Sequence, residues 1–212
     1  MRQWPTRLAS TLFGALVCLT TPEPLTAEPL PILSLDVREE WQAVGLVNAA
    51  GYRGKSSCTG TLIAPDLVLT AAHCVAKSIR VGAQRHFVAG WDRGNFAAHR
   101  LSAEIMVHPA YNLATGNMRF RYDVALMRLA SPVPMAKVEP LHLINLGDQT
   151  FDEFALLGYH RKRPNVLNGR FDCTPDQMRS NALLVVDCEV ISGTSGGPVL
   201  AQIDGAWTVV AV

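Results

Sequence analysis

Short apolar or alternating runs recur along the chain, with turn-forming residues between them. In the first half these runs are 43–47, 58–63, 67–70, 104–107 and 124–129. Runs of this length and spacing are typical of the strands of an all-β barrel or sandwich. Sustained helical periodicity is absent from the sequence after residue 27, apart from one helical turn expected at 71–75. The pattern therefore disfavours alternating helices and strands.

A proline-bearing stretch separates this half from a second one. Three prolines fall between residues 131 and 140, which predicts an extended linker rather than a helix or strand. The candidate strands beyond it are 154–158, 182–188, 198–202 and 207–212. Because the last run reaches the end of the sequence, we expect a second half that is incomplete at its C-terminus and leaves an apolar strand edge exposed.

The N-terminus has the outline of an export signal. Arg2 and Arg7 precede an apolar run at 8–19, and a polar stretch with prolines follows it. The apolar run is too short to span a bilayer comfortably. We therefore predict a signal peptide at 1–27 and a secreted or periplasmic protein that has no membrane association once this segment is removed.

Removal of the signal would change the number of cysteines from odd to even, because Cys18 leaves with it. Lipidation at Cys18 is the alternative, although Val17 stands where a small residue is expected. The cysteines that remain are Cys58, Cys74, Cys173 and Cys188. In an exported chain such a set usually forms disulfides. Three pairings are possible, and each short-range pairing would close a loop of about 15 residues and contribute roughly 3 kcal/mol.

Composition excludes several classes of partner. The 212 residues are 49% hydrophobic, enough to bury a core, whereas only 17% are charged and the formal net charge is +1. A chain so close to neutrality lacks the basic surface that nucleic acid or an acidic membrane would require, and we expect neither partner. The basic run at 160–163 is interpreted as a solvated turn.

A histidine follows small residues just beyond the run 67–70. Ala71 and Ala72 let the chain turn before His73, and a disulfide through Cys74 would hold its backbone. Taken alone, such a histidine is equally a core residue or a zinc ligand. No second cysteine or histidine lies nearby in the sequence at metal-site spacing, so we predict no metal.

An aspartate opens the apolar run 124–129. Taken alone, Asp123 is most simply an ordinary residue at the start of a strand. The alternative is that Asp123 lies behind His73, accepts its Nδ1 proton and stabilises the imidazolium.

A glycine-rich segment at 193–198 carries one nucleophile. The hydroxyl of Ser195 is weakly nucleophilic until a base takes its proton, and the amides of Gly193 and Ser195 would donate to a developing oxyanion. A plain turn is the alternative interpretation of this motif. Chain order excludes an α/β-hydrolase, which needs a histidine after its serine, because the last histidine is His160.

Taken together, the segments 70–74, 123–129 and 193–198 resemble the chymotrypsin/trypsin family of serine peptidases. The resemblance implies an all-β fold of two antiparallel six-stranded barrels. The first would occupy 28–130 and the second, truncated, 131–212. It also implies a monomeric endopeptidase that acts on protein or peptide substrates without a cofactor.

The same resemblance implies a role for each candidate residue. Ser195 would attack the peptide carbonyl, His73 would act as general base and then acid, and Asp123 would orient the imidazole. The amides of Gly193 and Ser195 would form the oxyanion hole. The alternative is a non-catalytic binding or remnant protein that keeps these residues but lacks the C-terminal strands.

The residues around the nucleophile refine the resemblance. Asp187 and Cys188 make the segment look closer to bacterial V8-like exported peptidases. Glu189 lies six residues before Ser195, where the resemblance puts the floor of the specificity pocket. An acid there would attract lysine or arginine side chains, and a solvated glutamate beside a disulfide is the alternative. Many members have an aspartate where this chain has Thr194, so we expect no activation through a new N-terminus.

Overall fold

The computed structural model describes Met1 and residues 29–51, 58–145, 151–179 and 183–212. The predicted signal peptide at 1–27 therefore lies, except for Met1, outside the described residues. Among the residues that are described, no helix has both the length and the apolar character needed to cross a membrane.

The first half is a closed barrel of antiparallel strands. Its strands are β1 (Val44–Asn48), β2 (Cys58–Ala64), β3 (Leu67–Thr70), β4 (His86–Ala89), β5 (Ala98–Val107) and β6 (Ala125–Leu129). They close in the order β1-β2-β3-β6-β5-β4. Fully buried apolar side chains fill the interior, among them Leu62, Val68, Phe87 and Met127. Burial of each such side chain stabilises the fold by about 1.5–3 kcal/mol.

Three helices accompany the strands: α1 (Leu35–Glu40), α2 (Ala72–Val81) and α3 (Met118–Arg121). The turn expected at 71–75 is thus a longer helix, which follows β3 after the single residue Ala71. It ends at Gly82, whose φ of 62° is a left-handed conformation that favours glycine.

The second half forms an open sheet and a separate ribbon. The strands are β7 (Phe154–His160), β8 (Arg163–Cys173), β9 (Pro175–Arg179), β10 (Leu183–Val186), β11 (Val199–Ile203) and β12 (Ala206–Ala211). The sheet has the order β12-β11-β7-β8, and β9 pairs only with β10 among the described strands. The prediction of an all-β fold with a closed first barrel is confirmed. A second closed barrel is not formed by the residues that the structure describes.

The two halves share a hydrophobic cluster. Val44 and Val88 of the barrel pack with Leu157, Tyr159 and Leu200 of the second sheet. The fully buried Tyr159 also donates its hydroxyl to the carbonyl of Trp91, at 2.9 Å, so that a hydrogen bond crosses between the halves. Burial raises the pKa of Tyr159 far above its ordinary value, which keeps the hydroxyl a donor.

We expect Tyr159→Phe to lower the free energy of unfolding by about 1–2 kcal/mol, because the hydroxyl is removed from a buried hydrogen bond. Urea unfolding monitored by fluorescence would measure the change. Tyr111→Phe is the matched control, since no hydrogen bond of the Tyr111 hydroxyl appears among the described contacts although the ring is also buried. Equal effects of the two substitutions would contradict the importance of the bond to Trp91.

Candidate active site

The pairing of β3 with β6 brings the histidine and the aspartate together. In this antiparallel pair Thr70, the last residue of β3, lies opposite Ala125, the first residue of β6. The chain leaves β3 and enters β6 at the same edge of the barrel. His73, in the first turn of α2, and Asp123, just before β6, therefore lie side by side.

Asp123 holds His73 with both carboxylate oxygens. The Oδ2 atom lies 2.6 Å from Nδ1 of His73, and Oδ1 accepts a hydrogen bond of 2.8 Å from the His73 backbone amide. A carboxylate can only accept at Nδ1, so the imidazole carries its proton there. In the neutral ring Nε2 is then left as the basic nitrogen.

The pair shifts the pKa of both groups. The hydrogen bond to Asp123 raises the pKa of His73 above its ordinary value, against the opposing effect of burial. For Asp123, burial raises the pKa, but the hydrogen bonds and charge of His73 together outweigh it and the net pKa is lowered. Asp123 therefore stays ionised while His73 gains and loses a proton.

Ser195 lies in a tight turn that packs onto the barrel. The turn is closed by hydrogen bonds from the Thr194 amide to Ile191 and from the Gly197 amide to the Thr194 carbonyl. At Gly196 the φ is +82°, and a Cβ would lie 2.3 Å from the carbonyl oxygen of Thr59. Only glycine allows this approach.

The Cys58–Cys74 disulfide contacts both the imidazole of His73 and the backbone of Ser195. Sγ of Cys74 is 3.6 Å from Nε2 of His73 and 3.7 Å from the carbonyl oxygen of Ser195. That carbonyl also accepts a hydrogen bond of 2.8 Å from the amide of Thr59 in β2. The structure thus brings the three predicted residues to one edge of the barrel.

The described hydrogen bonds do not include one between Nε2 of His73 and Oγ of Ser195. Catalytic hydrogen bonds are often long before substrate binds and shorten in the complex.

Two peptide groups next to Ser195 have their carbonyl oxygens engaged in hydrogen bonds, and this fixes the direction of their N–H groups. The Ser192 carbonyl accepts from the Arg161 amide at 2.8 Å, and the Thr194 carbonyl accepts from the Gly197 amide at 2.8 Å. No described peptide bond is cis, and in a trans peptide the N–H points opposite to the C=O. The amides of Gly193 and Ser195 therefore point away from these partners, as donors to an oxyanion must.

The same edge contains a group of potential metal ligands. Ligand atoms of Cys58, His73 and Cys74 lie within 4.8 Å of one another. Both sulfurs are joined in a disulfide, so neither is the thiolate that binds zinc. The group is not a metal site while the disulfide is intact.

A cavity of about 480 Å³ opens beside Ser195. Aliphatic side chains such as Leu184, Val190 and Val199 form much of its wall, and Glu189 is not among the lining residues. Oε2 of Glu189 is nevertheless buried without a hydrogen-bond partner among the described residues. The second disulfide, Cys173–Cys188, anchors the segment next to it.

Sequence reasoning missed the position of His160. The expectation of a solvated turn at 160–163 holds for Arg161 and Lys162, which are exposed, but it is wrong for His160, whose exposed fraction is 1%. The histidine ends β7, in which every residue is buried. The apolar run just before it was the available signal.

Comparison with known proteins gives two findings. The family model described as Trypsin matches residues 38–205 of the chain. The chain is also similar to vitamin K-dependent protein C of Rattus norvegicus, with 26% identity over 200 residues, covering 80% of this chain and 42% of that protein. The chain thus spans less than half the length of this relative. Neither match supports the narrower resemblance to V8-like peptidases.

We expect His73 to titrate above pH 6.5, its ordinary value, because the protonated ring is stabilised by Asp123. NMR of the imidazole protons across a pH series would measure the midpoint. In Asp123→Asn the midpoint should fall, since the carboxylate is lost. His108→Gln is a control that removes a different histidine signal and should leave the His73 midpoint unchanged. A wild-type midpoint below 6.5 would contradict the geometry.

Proposed function

Because this chain belongs to the trypsin family of serine peptidases, we propose that it is a serine endopeptidase in which Ser195, His73 and Asp123 form the catalytic triad. Its substrates are proteins or peptides, and the reaction needs no cofactor. The proposal depends on one observation: the Asp123 carboxylate accepts hydrogen bonds from both Nδ1 and the backbone amide of His73. This arrangement leaves Nε2 as the base, and the same sulfur of Cys74 contacts both Nε2 and the carbonyl oxygen of Ser195.

The proposed reaction divides hydrolysis into two steps. Oγ of Ser195 attacks the peptide carbonyl while Nε2 of His73 takes the hydroxyl proton. The same proton then passes to the leaving amine as the peptide bond breaks and an acyl-enzyme remains. Water, deprotonated by His73, attacks the ester, and the proton returns to Ser195. Asp123 remains ionised throughout and stabilises the imidazolium.

The amides of Gly193 and Ser195 are the proposed oxyanion donors. Their support is the orientation of the neighbouring carbonyls, which are engaged on the other side of each peptide. Removal of one such donor typically lowers kcat by about 10²–10³-fold. The Gly193 φ of +107° lies in a region that favours glycine, and a Cβ there would lie 2.9 Å from Cα of His160.

We further propose that the enzyme is exported, secreted or periplasmic, and acts as a monomer. The disulfides support an oxidising compartment, and the N-terminal segment has the pattern of a signal peptide. The non-catalytic alternative has less support, because all three catalytic residue types are present and meet at one edge of the barrel.

A serine-directed fluorophosphonate should label the folded protein, and Ser195→Ala should abolish labelling because the nucleophile is lost. Ser131→Ala is the matched control: it removes an exposed hydroxyl outside the 192–197 segment and should retain labelling. Gel fluorescence or intact mass would measure the adduct. Absence of labelling in folded wild-type protein would overturn the proposed activity and favour the non-catalytic alternative.

We propose Glu189 as the acidic specificity residue. Its Oε2 is buried without a hydrogen-bond partner among the described residues, and its neighbours Cys188 and Val190 line the cavity beside Ser195, so a lysine or arginine at P1 would have to reach past this wall to pair with it. Glu189→Gln should then lower kcat/KM for arginine substrates about tenfold or more, with little effect on leucine substrates. Asp187→Asn is the matched control, because it removes the same negative charge from a nearby position. The Asp187 carboxylate already accepts two hydrogen bonds of 2.7 Å from Thr174, so its loss should not change the preference for arginine. Equal losses on both substrates, or none, would contradict this assignment.

A further inference from the structure

The peptide segment 159–161 holds the loop that carries the proposed oxyanion donors. This oxyanion loop comprises residues 192–197. The Arg161 amide donates to the Ser192 carbonyl at 2.8 Å, and Gly193 approaches so closely that a Cβ would lie 2.9 Å from Cα of His160 and 3.0 Å from the Tyr159 carbonyl oxygen. The orientation of the Gly193 amide therefore depends on where this segment lies.

A second segment holds His160 from the other side. We call residues 29–33 the strap. The strap carbonyl of Leu30 lies 3.3 Å from Nε2 of His160 and accepts a hydrogen bond of 3.3 Å from Arg163. Since a carbonyl can only accept, Nε2 of His160 carries the proton. No other hydrogen bond of the His160 ring occurs among the described residues, and its Nδ1 is buried without a partner.

The strap is firmly attached to the second sheet. The Leu30 side chain is 1% exposed and packs with Phe154, Leu156 and Cys173. The Pro31 carbonyl accepts from the amide of Gly169 in β8 at 3.0 Å. The contacts of Leu30 thus fix its carbonyl at the tip of the β7–β8 hairpin, where His160 and Arg163 reach it.

We propose that the strap positions the oxyanion loop through His160, so that His160 is a positioning residue for the Gly193 amide. The inference rests on the proposed function, because it assigns His160 to the same reaction. It assigns no contact with substrate. Thr194, next to the nucleophile, is uncharged, so an ion pair at that position does not hold the loop. The loop is held instead by the segment 159–161, and the hydrogen bond between the Leu30 carbonyl and His160 links the strap to this segment.

Four variants separate positioning from general stability. His160→Leu removes the hydrogen bond to the strap, and His160→Gln keeps an N–H donor at similar reach. Leu30→Ala removes the side chain that packs the strap on β7 and β8 and leaves the sequence of the hairpin unchanged. Leu62→Ala is the control, since this fully buried side chain belongs to the first-barrel core and has no part in the proposed site.

The first measurement is hydrogen exchange of the Arg161 amide, relative to the amide of Met127 in the first barrel so that a uniform loss of stability cancels. We expect exchange to rise about tenfold or more in His160→Leu and Leu30→Ala. It should stay near the wild-type ratio in His160→Gln and Leu62→Ala. An unchanged ratio in both His160→Leu and Leu30→Ala would overturn the inference, whether or not the protein is catalytically active.

The second measurement is the steady-state kinetics of peptide cleavage. His160→Leu and Leu30→Ala should lower kcat about tenfold with little change in KM, a smaller loss than removal of an oxyanion donor causes. His160→Gln should restore kcat. A raised exchange ratio with unchanged kcat would overturn the positioning role. The exchange ratio could rise in His160→Leu and Leu30→Ala although fluorophosphonate does not label the wild-type protein. In that case the proposed activity is wrong, whereas the structural link between the strap and the oxyanion loop is supported.

Discussion

The antiparallel pairing of β3 with β6 is the constraint on which the candidate active site depends. His73 and Asp123 are 50 residues apart in sequence, and this pairing brings them within a hydrogen bond of 2.6 Å. The interaction is strong because a charged acceptor meets a ring nitrogen in a half-buried site. It also orients the ring, since the carboxylate holds the backbone amide of His73 at the same time.

The second half contributes the proposed nucleophile, Ser195, through close backbone contact rather than side-chain packing alone. The turn at Ser195 fits against the ends of β2 and β3 only because Gly196 has no Cβ. The Ser195 carbonyl accepts a hydrogen bond from the Thr59 amide, and the Thr59 hydroxyl donates to the Gly193 carbonyl at 2.9 Å. The candidate active site therefore lies at the interface between the first barrel and the second sheet. Its geometry depends on the hydrophobic cluster that the halves share.

The strands were predicted correctly where the residues that form them also have a high strand propensity. The runs at 43–47, 58–63 and 67–70 correspond to β1, β2 and β3, which are rich in β-branched and aliphatic residues. The strands β4 and β9 were not predicted, and neither was β8. The latter contains Pro164, Asn168 and Gly169, residues with low strand propensity, and it is held as a strand by its register with β7.

The sequence by itself determined the residue types of the site, their order along the chain and the family they indicate, because short motifs carry the local backbone requirements of a nucleophile and its base. Only the tertiary structure decided which groups became neighbours. It buried His160 under Leu30 and left Glu189 outside the lining of the cavity beside Ser195. Such contacts join residues far apart in sequence, so they follow from strand register and packing, which no local pattern encodes.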